Sequence, residues 1–257
     1  MKIVIAIKQV PARDSQLRIA SFGKWIAEVD LAYEINEPDA YALEEGLQLK
    51  EKHGGEVIVV CAGPARAAQS IREALAKGAD RAIHIEVGES GDFDPLSTAR
   101  LLAQALQAET PDLILTGLQS DDFGYGQTGV ILAELLGLPH ATIIMQVEKQ
   151  DHGIRVKREL EEGWFQNVEL PLPALLTIQS GISKLRYATL MGIKRAKTKQ
   201  VKRLTPGELG AGTASPGIAL DRVYLPERTK RTQLFEGSPK EAAAQLVEKL
   251  KFEARVL

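Results

Sequence analysis

The chain has 257 residues, 44% of them hydrophobic, and a formal net charge of -2 with a pI near 6.2. This composition supports a buried core and excludes a mainly disordered chain. A near-neutral charge is also untypical of a protein that binds nucleic acid over a whole face, so no nucleic-acid partner is expected. No run of eighteen apolar residues occurs and the N-terminal segment shows no small-residue cleavage site, so we expect a soluble cytoplasmic protein without membrane insertion.

Short β-branched runs alternate with amphipathic stretches through the first 147 residues. The predicted strands are Ile3–Ile7, Val57–Cys61, Ala82–Ile85, Leu113–Thr116 and Ala141–Val147. Strands separated by helices form parallel sheets with right-handed crossovers. The sequence therefore predicts an α/β fold with a doubly wound parallel sheet. Asn36 and Asp94 are the predicted N-caps of two of its helices.

The pattern changes after residue 147. Asp151-His152-Gly153 indicates a hairpin turn, and residues 168–178 contain further strand broken by two prolines, so we predict an antiparallel extension of the sheet. Residues 205–217 read as a linker. Ser238-Pro239-Lys240-Glu241 has the form of a capping box that opens a C-terminal helix.

These boundaries predict two parts of the chain. Residues 1–203 form a nucleotide-binding α/β domain that includes a loop at 184–203. Residues 204–257 form an arm and a helix that packs on a partner subunit.

A glycine-rich loop follows the predicted strand at Leu113–Thr116. The loop reads GLQSDDFGYGQTG and leads into an apolar helix that starts near Thr128. Glycines allow close approach of the backbone, and a helix N-terminus offers N–H groups to a phosphate, so a nucleotide phosphate site is predicted here. The same spacing also fits a glycine-rich surface loop that caps a helix.

Gly124, Gly126 and Gly129 spell GxGxxG, the dinucleotide fingerprint, with Glu148 about twenty residues later. That fingerprint requires its first glycine directly after the strand. Gly117 occupies that place, and GxGxxG begins seven residues later. An NAD site is therefore not predicted.

Motifs for catalysis and metal binding are not found in the sequence. The four histidines have no metal-ligand spacing, and there is neither a GxSxG elbow nor a Walker lysine loop. The single cysteine, Cys61, rules out an internal disulfide. We expect no metal and no catalytic residue, so the chain is predicted not to be an enzyme in its own right.

Five ordered stretches resemble one known family. They are IAIKQV; NEPDAYALEEGLQLKEK with CAGPARAAQSIREALAKGADRAI; QSDDFGYGQTG; VKRELEEGWFQNVELPLPALLTI; and LRYATLMGIKRAK. Over nearly its whole length the chain resembles the β subunit of electron-transfer flavoproteins.

The resemblance implies an adenine-nucleotide-hydrolase-like strand order, 3-2-1-4-5, and a heterodimer with an α subunit. The α subunit would hold most of one FAD, while this chain would bury an AMP. The positions that would contact AMP are Ala6, Asn36, Glu37, Pro38, Asp39, Ala62, Ser120, Asp121, Asp122, Phe123, Gly124, Tyr125, Gly126, Gln127 and Thr128. Aromatic residues that some relatives place near Arg13 and Pro38 to approach the flavin are absent here.

A basic segment carries the second predicted site. Residues 184–203 contain eight Lys or Arg and no acid, and within them Leu185–Lys197 resembles the partner-recognition loop of the family. The predicted recognition residues are Arg186, Tyr187, Leu190, Lys194, Arg195 and Lys197. In this interpretation the charges steer encounter and Leu190 is the buried anchor. The alternative is a solvated basic loop whose Leu190 folds back into the core.

The predicted function is that of an electron carrier. Flavoprotein dehydrogenases, such as the acyl-CoA dehydrogenases of fatty acid β-oxidation, would reduce the flavin, which would pass electrons to a quinone-linked oxidoreductase. One alternative keeps the family but places a second FAD where AMP would lie, as in electron-bifurcating relatives. Another is a stand-alone ATP-binding stress-type protein of the same fold.

Overall fold

The structure, a computed structural model, describes residues 1–88, 94–210, 216–226 and 232–257. The chain divides into two compact units, residues 1–223 and residues 224–257. Within the described residues, no helix is long and apolar enough to cross a membrane.

Strands and helices alternate along the first unit. The strands are β1 (Lys2–Ala6), β2 (Gln9–Pro11), β3 (Tyr33–Ile35), β4 (Glu56–Gly63), β5 (Arg81–Glu86), β6 (Leu113–Gly117), β7 (His140–Gln150), β8 (Gly153–Glu159), β9 (Phe165–Leu170), β10 (Ala174–Ile178) and β11 (Val201–Leu204). The helices are α1 (Glu37–His53), α2 (Ala68–Lys77), α3 (Pro95–Gln107), α4 (Thr128–Leu136) and α5 (Leu190–Ala196), and the second unit contains α6 (Pro239–Phe252).

Nine strands form one sheet in the order β11-β5-β4-β1-β6-β10-β7-β8-β9, while β2 and β3 form a separate antiparallel pair. The predicted fold class is confirmed, since β5-β4-β1-β6 reproduces the order 3-2-1-4 in parallel. The fifth place belongs to β10 rather than to β7, the fifth predicted strand. β10 pairs in parallel with both β6 and β7.

The antiparallel extension is confirmed only for β8 and β9. The prediction that residues 168–178 are antiparallel throughout is wrong for β10, because the prolines at 171 and 173 separate it from β9 and it returns to the main sheet. β7 connects the two parts: its start pairs with β10 and its end with β8. Between these pairings the register shifts and Ile143 has a φ of +60°. A further parallel strand, β11, lies beside β5 within the segment predicted to be a loop.

Helices cover both faces of the parallel strands. Ile3 and Ile5 of β1 belong to the same buried cluster as α1 and α2, whereas Val4 belongs to the cluster that contains α3 and α4. Strands covered on both faces are continuously apolar, which explains runs such as IVIA and LILT.

The second unit is described by itself. In α6, Ser238 Oγ accepts the Glu241 N–H, and the Glu241 carboxylate accepts the Ser238 N–H. The predicted capping box and helix are therefore confirmed. None of the residues of α6 is buried. Packing of this helix on a partner and the domain boundary at 203/204 stay predictions. Residues 211–215 of the predicted linker and residues 227–231 of the arm lie outside the described residues.

Candidate functional site

A cavity opens at the carboxyl edge of the sheet, where β1 lies between β4 and β6. Its walls include Ala6 at the end of β1, Ala62 in β4 and Thr116 in β6. Its volume is about 160 Å³. In open α/β sheets the crevice beside the strand where the crossovers change direction is the usual ligand position. The fold therefore places the candidate site where this rule expects it.

Most residues of the predicted nucleotide site surround this cavity. Those that line it are Ala6, Asn36, Asp39, Ala62, Ser120, Phe123, Tyr125, Gly126, Gln127 and Thr128. The predicted residues outside its lining are Glu37, Pro38, Asp121, Asp122 and Gly124. Sequence reasoning missed Lys8, Arg66, Asp94 and Thr98, which also line it. Their positions just after strands or at helix starts are the signal that would have found them.

Asp39 lines the cavity and holds two strand ends together there. Its carboxylate accepts the Lys8 N–H at 2.7 Å and the Gly117 N–H at 2.9 Å, and so joins the ends of β1 and β6. Burial raises the pKa of Asp39 to about 7, and the two N–H donors act against that rise. Gly117 must be glycine here, because a Cβ would lie 2.3 Å from Asp39 Oδ1. The aspartate is thus a bridge between two strands beneath the site.

Asn36 ties the glycine-rich loop to the start of α1. Its Nδ2 donates to Gln119 O at 2.9 Å, and its Oδ1 accepts the Asp121 N–H at 2.9 Å. Asn36 occupies the N-cap position of α1 as predicted, but its side chain makes no cap hydrogen bond. Instead the Asp121 carboxylate accepts the Glu37 N–H at 3.3 Å. The N-terminus of α1 is therefore occupied by a carboxylate of the chain itself.

The helix starts at the cavity differ in how their N–H groups are satisfied. Asp94 caps α3 as predicted, accepting the Ser97 N–H at 2.7 Å, and this bonding helps to keep the pKa of Asp94 low despite burial. Gln127, the N-cap of α4, makes no side-chain cap hydrogen bond. Thr128 and Gly129 of that first turn line the cavity. Uncapped first-turn N–H groups and the helix dipole favour an anion at α4.

Two cationic side chains stand at the cavity. Lys8 Nζ lies 2.6 Å from Asp122 Oδ1 and 4.8 Å from the centroid of the Phe123 ring. Arg66 lies 3.2 Å from Glu28 Oε1 and 4.5 Å from the centroid of the Tyr33 ring. Both cations are therefore held by neighbouring groups of the chain.

Three aromatic rings stack at the same loop. The centroids of Trp25 and Phe123 are 5.3 Å apart, and those of Phe123 and Tyr125 are 5.5 Å apart with only 8° between planes. Stacking of this kind stabilises a loop beyond the area it buries. The glycine-rich loop is thus packed against Trp25, a contact that sequence spacing did not predict.

Leu190 begins α5, and the segment around it exposes apolar side chains. Tyr187 is 92% exposed, Leu190 81% and Met191 57%. Thr189 caps the helix by accepting the Gly192 N–H at 3.0 Å. The alternative that Leu190 folds back into the core is wrong, because most of its surface faces solvent. We refer to residues 186–197 as the docking segment, after the role that the sequence predicts for them.

The basic residues of the docking segment fall into two groups. Lys194, Arg195 and Lys197 are exposed at the end of α5. Arg186 instead pairs with Glu44 at 2.8 Å and with Glu51 at 2.5 Å, both on α1. The predicted recognition residues are therefore close together, but Arg186 is already engaged within the chain.

Fold and cavity define a mostly parallel α/β protein with a crevice at the point where its crossovers change direction. A family model for the electron transfer flavoprotein domain matches residues 24–209, and the chain belongs to this family. It is 37% identical over 257 residues to the electron transfer flavoprotein subunit beta of Methylophilus methylotrophus, covering 96% of this chain and 97% of that one.

The similarity to beta subunits extends to distant organisms. The human subunit beta is 34% identical over 259 residues, which cover 100% of this chain and 99% of the relative. The Bacillus subtilis subunit beta is 36% identical over 226 residues, covering 87% and 88%. The resemblance drawn from the sequence motifs is confirmed.

Proposed function

We propose that this chain is the β subunit of a heterodimeric electron-transfer flavoprotein and that its cavity holds an AMP with a structural role. The partner is an α subunit that holds most of one FAD, and the flavin supplies the redox chemistry when bound. This chain contributes binding surfaces and no catalytic residues. The similar proteins from Methylophilus methylotrophus and human are beta subunits, which supports an α partner.

The observation that carries the AMP proposal is the difference between the helix starts around the cavity. Asp121 occupies the start of α1 and Asp94 that of α3, whereas the starts of α2 and α4 have no side-chain cap. Of these two uncapped starts, the first turn of α4 lines the cavity and that of α2 does not. A phosphate at α4 would gain roughly 0.3–1 kcal/mol from the helix dipole, with hydrogen bonds in addition. The base and ribose would then lie along the ends of β1 and β4, near Ala6 and Ala62.

The identity of the nucleotide is tested by extraction. The chain is co-expressed with its α partner, the purified heterodimer is denatured, and the released nucleotides are separated and quantified. We expect one AMP and one FAD per heterodimer. Two FAD and no AMP would instead favour the electron-bifurcating alternative. ATP bound to the lone chain would favour the stress-type alternative.

Colour tests the division of labour between the subunits. The chain expressed alone should be colourless, because the proposal assigns most of the flavin contacts to the α subunit. Co-expression should give a yellow complex. Stoichiometric FAD retained by the purified lone chain would contradict this proposal.

A matched pair of glycine variants tests the position of the phosphate. Gly126 and Gly137 have nearly equal φ values, +63° and +64°, and neither would place a Cβ within 3.4 Å of another atom. Gly126 lines the cavity, whereas Gly137 ends α4. Valine at either position strains the backbone equally, but only Gly126→Val should lower the AMP content of the heterodimer. Equal AMP content in the two variants would place the phosphate elsewhere.

The docking segment is the proposed contact for flavoprotein dehydrogenases. Its exposed apolar side chains are flanked by Lys194, Arg195 and Lys197, an arrangement of anchor and steering charge that is typical of transient interfaces. Acyl-CoA dehydrogenases of fatty acid β-oxidation are the proposed donors, and a quinone-linked oxidoreductase is the proposed acceptor. Stopped-flow reduction of the heterodimer by a purified acyl-CoA dehydrogenase tests the first of these steps.

A further inference from the structure

Arg186 stands directly before the exposed side chains of the docking segment and is held by two carboxylates of α1. Its Nε and one terminal nitrogen donate to the two oxygens of Glu44, at 2.8 and 3.0 Å. The other terminal nitrogen donates to Glu51 Oε1 at 2.5 Å. The Glu44 side chain is only 5% exposed and also accepts the Arg186 backbone N–H at 3.2 Å. Backbone and side chain of Arg186 are thus fixed together.

The ionisation of this cluster is consistent with a strong pair. Burial of Glu44 acts to raise its pKa, yet the hydrogen bonds from Arg186 hold the pKa below its ordinary value. The pKa of Arg186 is raised by the hydrogen bonds to Glu44 and Glu51. A planar guanidinium that is hydrogen-bonded to two carboxylates in this way has a fixed orientation in addition to a favourable charge interaction.

The rest of the docking segment is anchored on α2. A Cβ on Gly192 would lie 2.2 Å from the carbonyl oxygen of Ala76, so α5 approaches α2 as closely as backbone allows. Arg72 of α2 donates to Ala196 O at 2.6 Å. Lys199 Nζ donates to two carbonyl oxygens at the C-terminal end of α2. The start of the segment is therefore attached to α1 and its end to α2.

We propose that Arg186 and Glu44 are a positioning pair that preorganises the docking segment: their ion pair fixes Tyr187 and Leu190 in the orientation that a dehydrogenase binds. The inference rests on the proposed function of this segment. Preorganisation acts because a surface that is already ordered loses less conformational entropy on binding. Arg186 thereby acts through the conformation of its neighbours rather than through its own charge at the interface.

This role differs from direct recognition in what it requires of Glu44. A carboxylate that is buried on α1 cannot reach a docked partner, and an acid adds nothing to a basic docking surface. Direct recognition by Arg186 therefore predicts that Glu44→Gln leaves docking unchanged or slightly improved. Positioning predicts that Glu44→Gln and Arg186→Gln cause the same defect.

The test compares Arg186→Gln, Arg186→Lys, Glu44→Gln and the Arg186→Gln/Glu44→Gln double variant, each in the heterodimer. Reduction by an acyl-CoA dehydrogenase gives kcat and KM, and hydrogen exchange of α5 amides reports the order of the segment without any dehydrogenase. We expect KM to rise roughly fivefold in both single Gln variants with kcat unchanged. Without the ion pair the free segment is less ordered, and binding of the dehydrogenase must then pay the entropy of ordering it. The double variant should be no worse than either single one, and exchange of α5 should be faster in all three.

Arg186→Lys keeps the charge but loses the planar fork, so it should rescue only part of the defect. Arg81→Gln is the matched control, because Arg81, the first residue of β5, also pairs with two carboxylates, Glu56 and Glu109, and neither of these lies on α1 or α5. It should change neither KM nor exchange of α5.

The outcomes separate this inference from the function on which it rests. A normal KM for Glu44→Gln beside a raised KM for Arg186→Gln would overturn positioning and assign Arg186 to direct contact. Unchanged exchange of α5 in the Gln variants would also overturn it. If Leu190→Ala leaves KM unchanged, the proposed docking function of the segment is wrong. Faster α5 exchange in the same experiment would still support the ion pair as the anchor of this segment.

Discussion

The cavity and the docking segment differ in how far apart their side chains lie in the sequence. At the cavity, a buried carboxylate such as Asp39 accepts backbone N–H groups from residues 31 and 78 positions away. In the docking segment the functional side chains are neighbours in sequence, and the apolar ones face solvent. A site made of distant residues depends on the whole sheet, whereas a site on one helix depends on how that helix is anchored. Variants at the two regions should therefore fail differently.

The largest effect on the cavity is expected where Asp39 joins the ends of β1 and β6. Gly117→Ala would place a Cβ 2.3 Å from Asp39 Oδ1 and 2.8 Å from the Asp39 backbone nitrogen. The strand ends must move apart or the aspartate must lose a hydrogen bond, at a cost of about 3 kcal/mol or more. Thermal unfolding of the heterodimer should show a lowered midpoint together with loss of bound nucleotide. Gly207→Ala is the control, because the nearest atom to its Cβ would be 4.0 Å away. A wild-type midpoint for Gly117→Ala would show that Asp39 does not hold the strands together.

Leu190→Ala should affect binding and leave folding intact, in contrast to the variant at Gly117. An exposed leucine contributes little to the fold, but as an interface anchor it would contribute roughly 1–3 kcal/mol to the dehydrogenase complex. Electron transfer from the dehydrogenase and thermal unfolding are measured on the same sample. Leu135→Ala, which also removes an exposed leucine from a helix, should change neither. A lower unfolding temperature with a normal transfer rate would remove Leu190 from the interface.

The two regions also differ in how far the sequence predicted them. Strand runs and helix caps predicted the doubly wound sheet, because periodicity and capping are local signals. The place of β10 beside β6 was not predicted, since its direction depends on a return that follows two prolines. Asn36 was assigned as a cap from its position, whereas its side chain bonds a loop 83 residues away. Likewise no local pattern indicates that Arg186 pairs with α1, because that contact exists only after the helices have packed.

Glu45, a buried residue of α1, provides a pH test of stability. Burial raises the pKa of Glu45 from 4.5 to about 7, so the folded chain binds an extra proton between these values. Wild-type stability should therefore fall as pH rises through this window, and the full penalty is present above pH 7. Glu45→Gln removes the charge and should stabilise the heterodimer by about 3 kcal/mol at pH 8, with little effect near pH 4.5. Unfolding by denaturant at both pH values measures the difference. Glu73→Gln, which removes an exposed carboxylate paired with Lys77 on the same helix, should change stability by less than about 0.5 kcal/mol at pH 8. A stabilisation by Glu45→Gln that is equal at both pH values would show that the carboxyl is not protonated in the fold.

The smallest expected effect concerns the exposed charges of the docking segment, and it separates steering from anchoring. Changing Lys194, Arg195 and Lys197 together to Gln should slow association with the dehydrogenase while altering the stability of the formed complex by less than about 1 kcal/mol. Long-range attraction is screened within about 30 Å at 0.01 M ionic strength and within about 3 Å at 1 M. The variant and the wild type should therefore differ in association rate at low salt and converge at high salt, whereas Leu190→Ala should be weaker at both. Stopped-flow association at the two ionic strengths measures this. A triple variant that remains equally slow at high salt would show that these side chains make direct contacts, and the division between a steering end and an anchoring face of α5 would then be wrong.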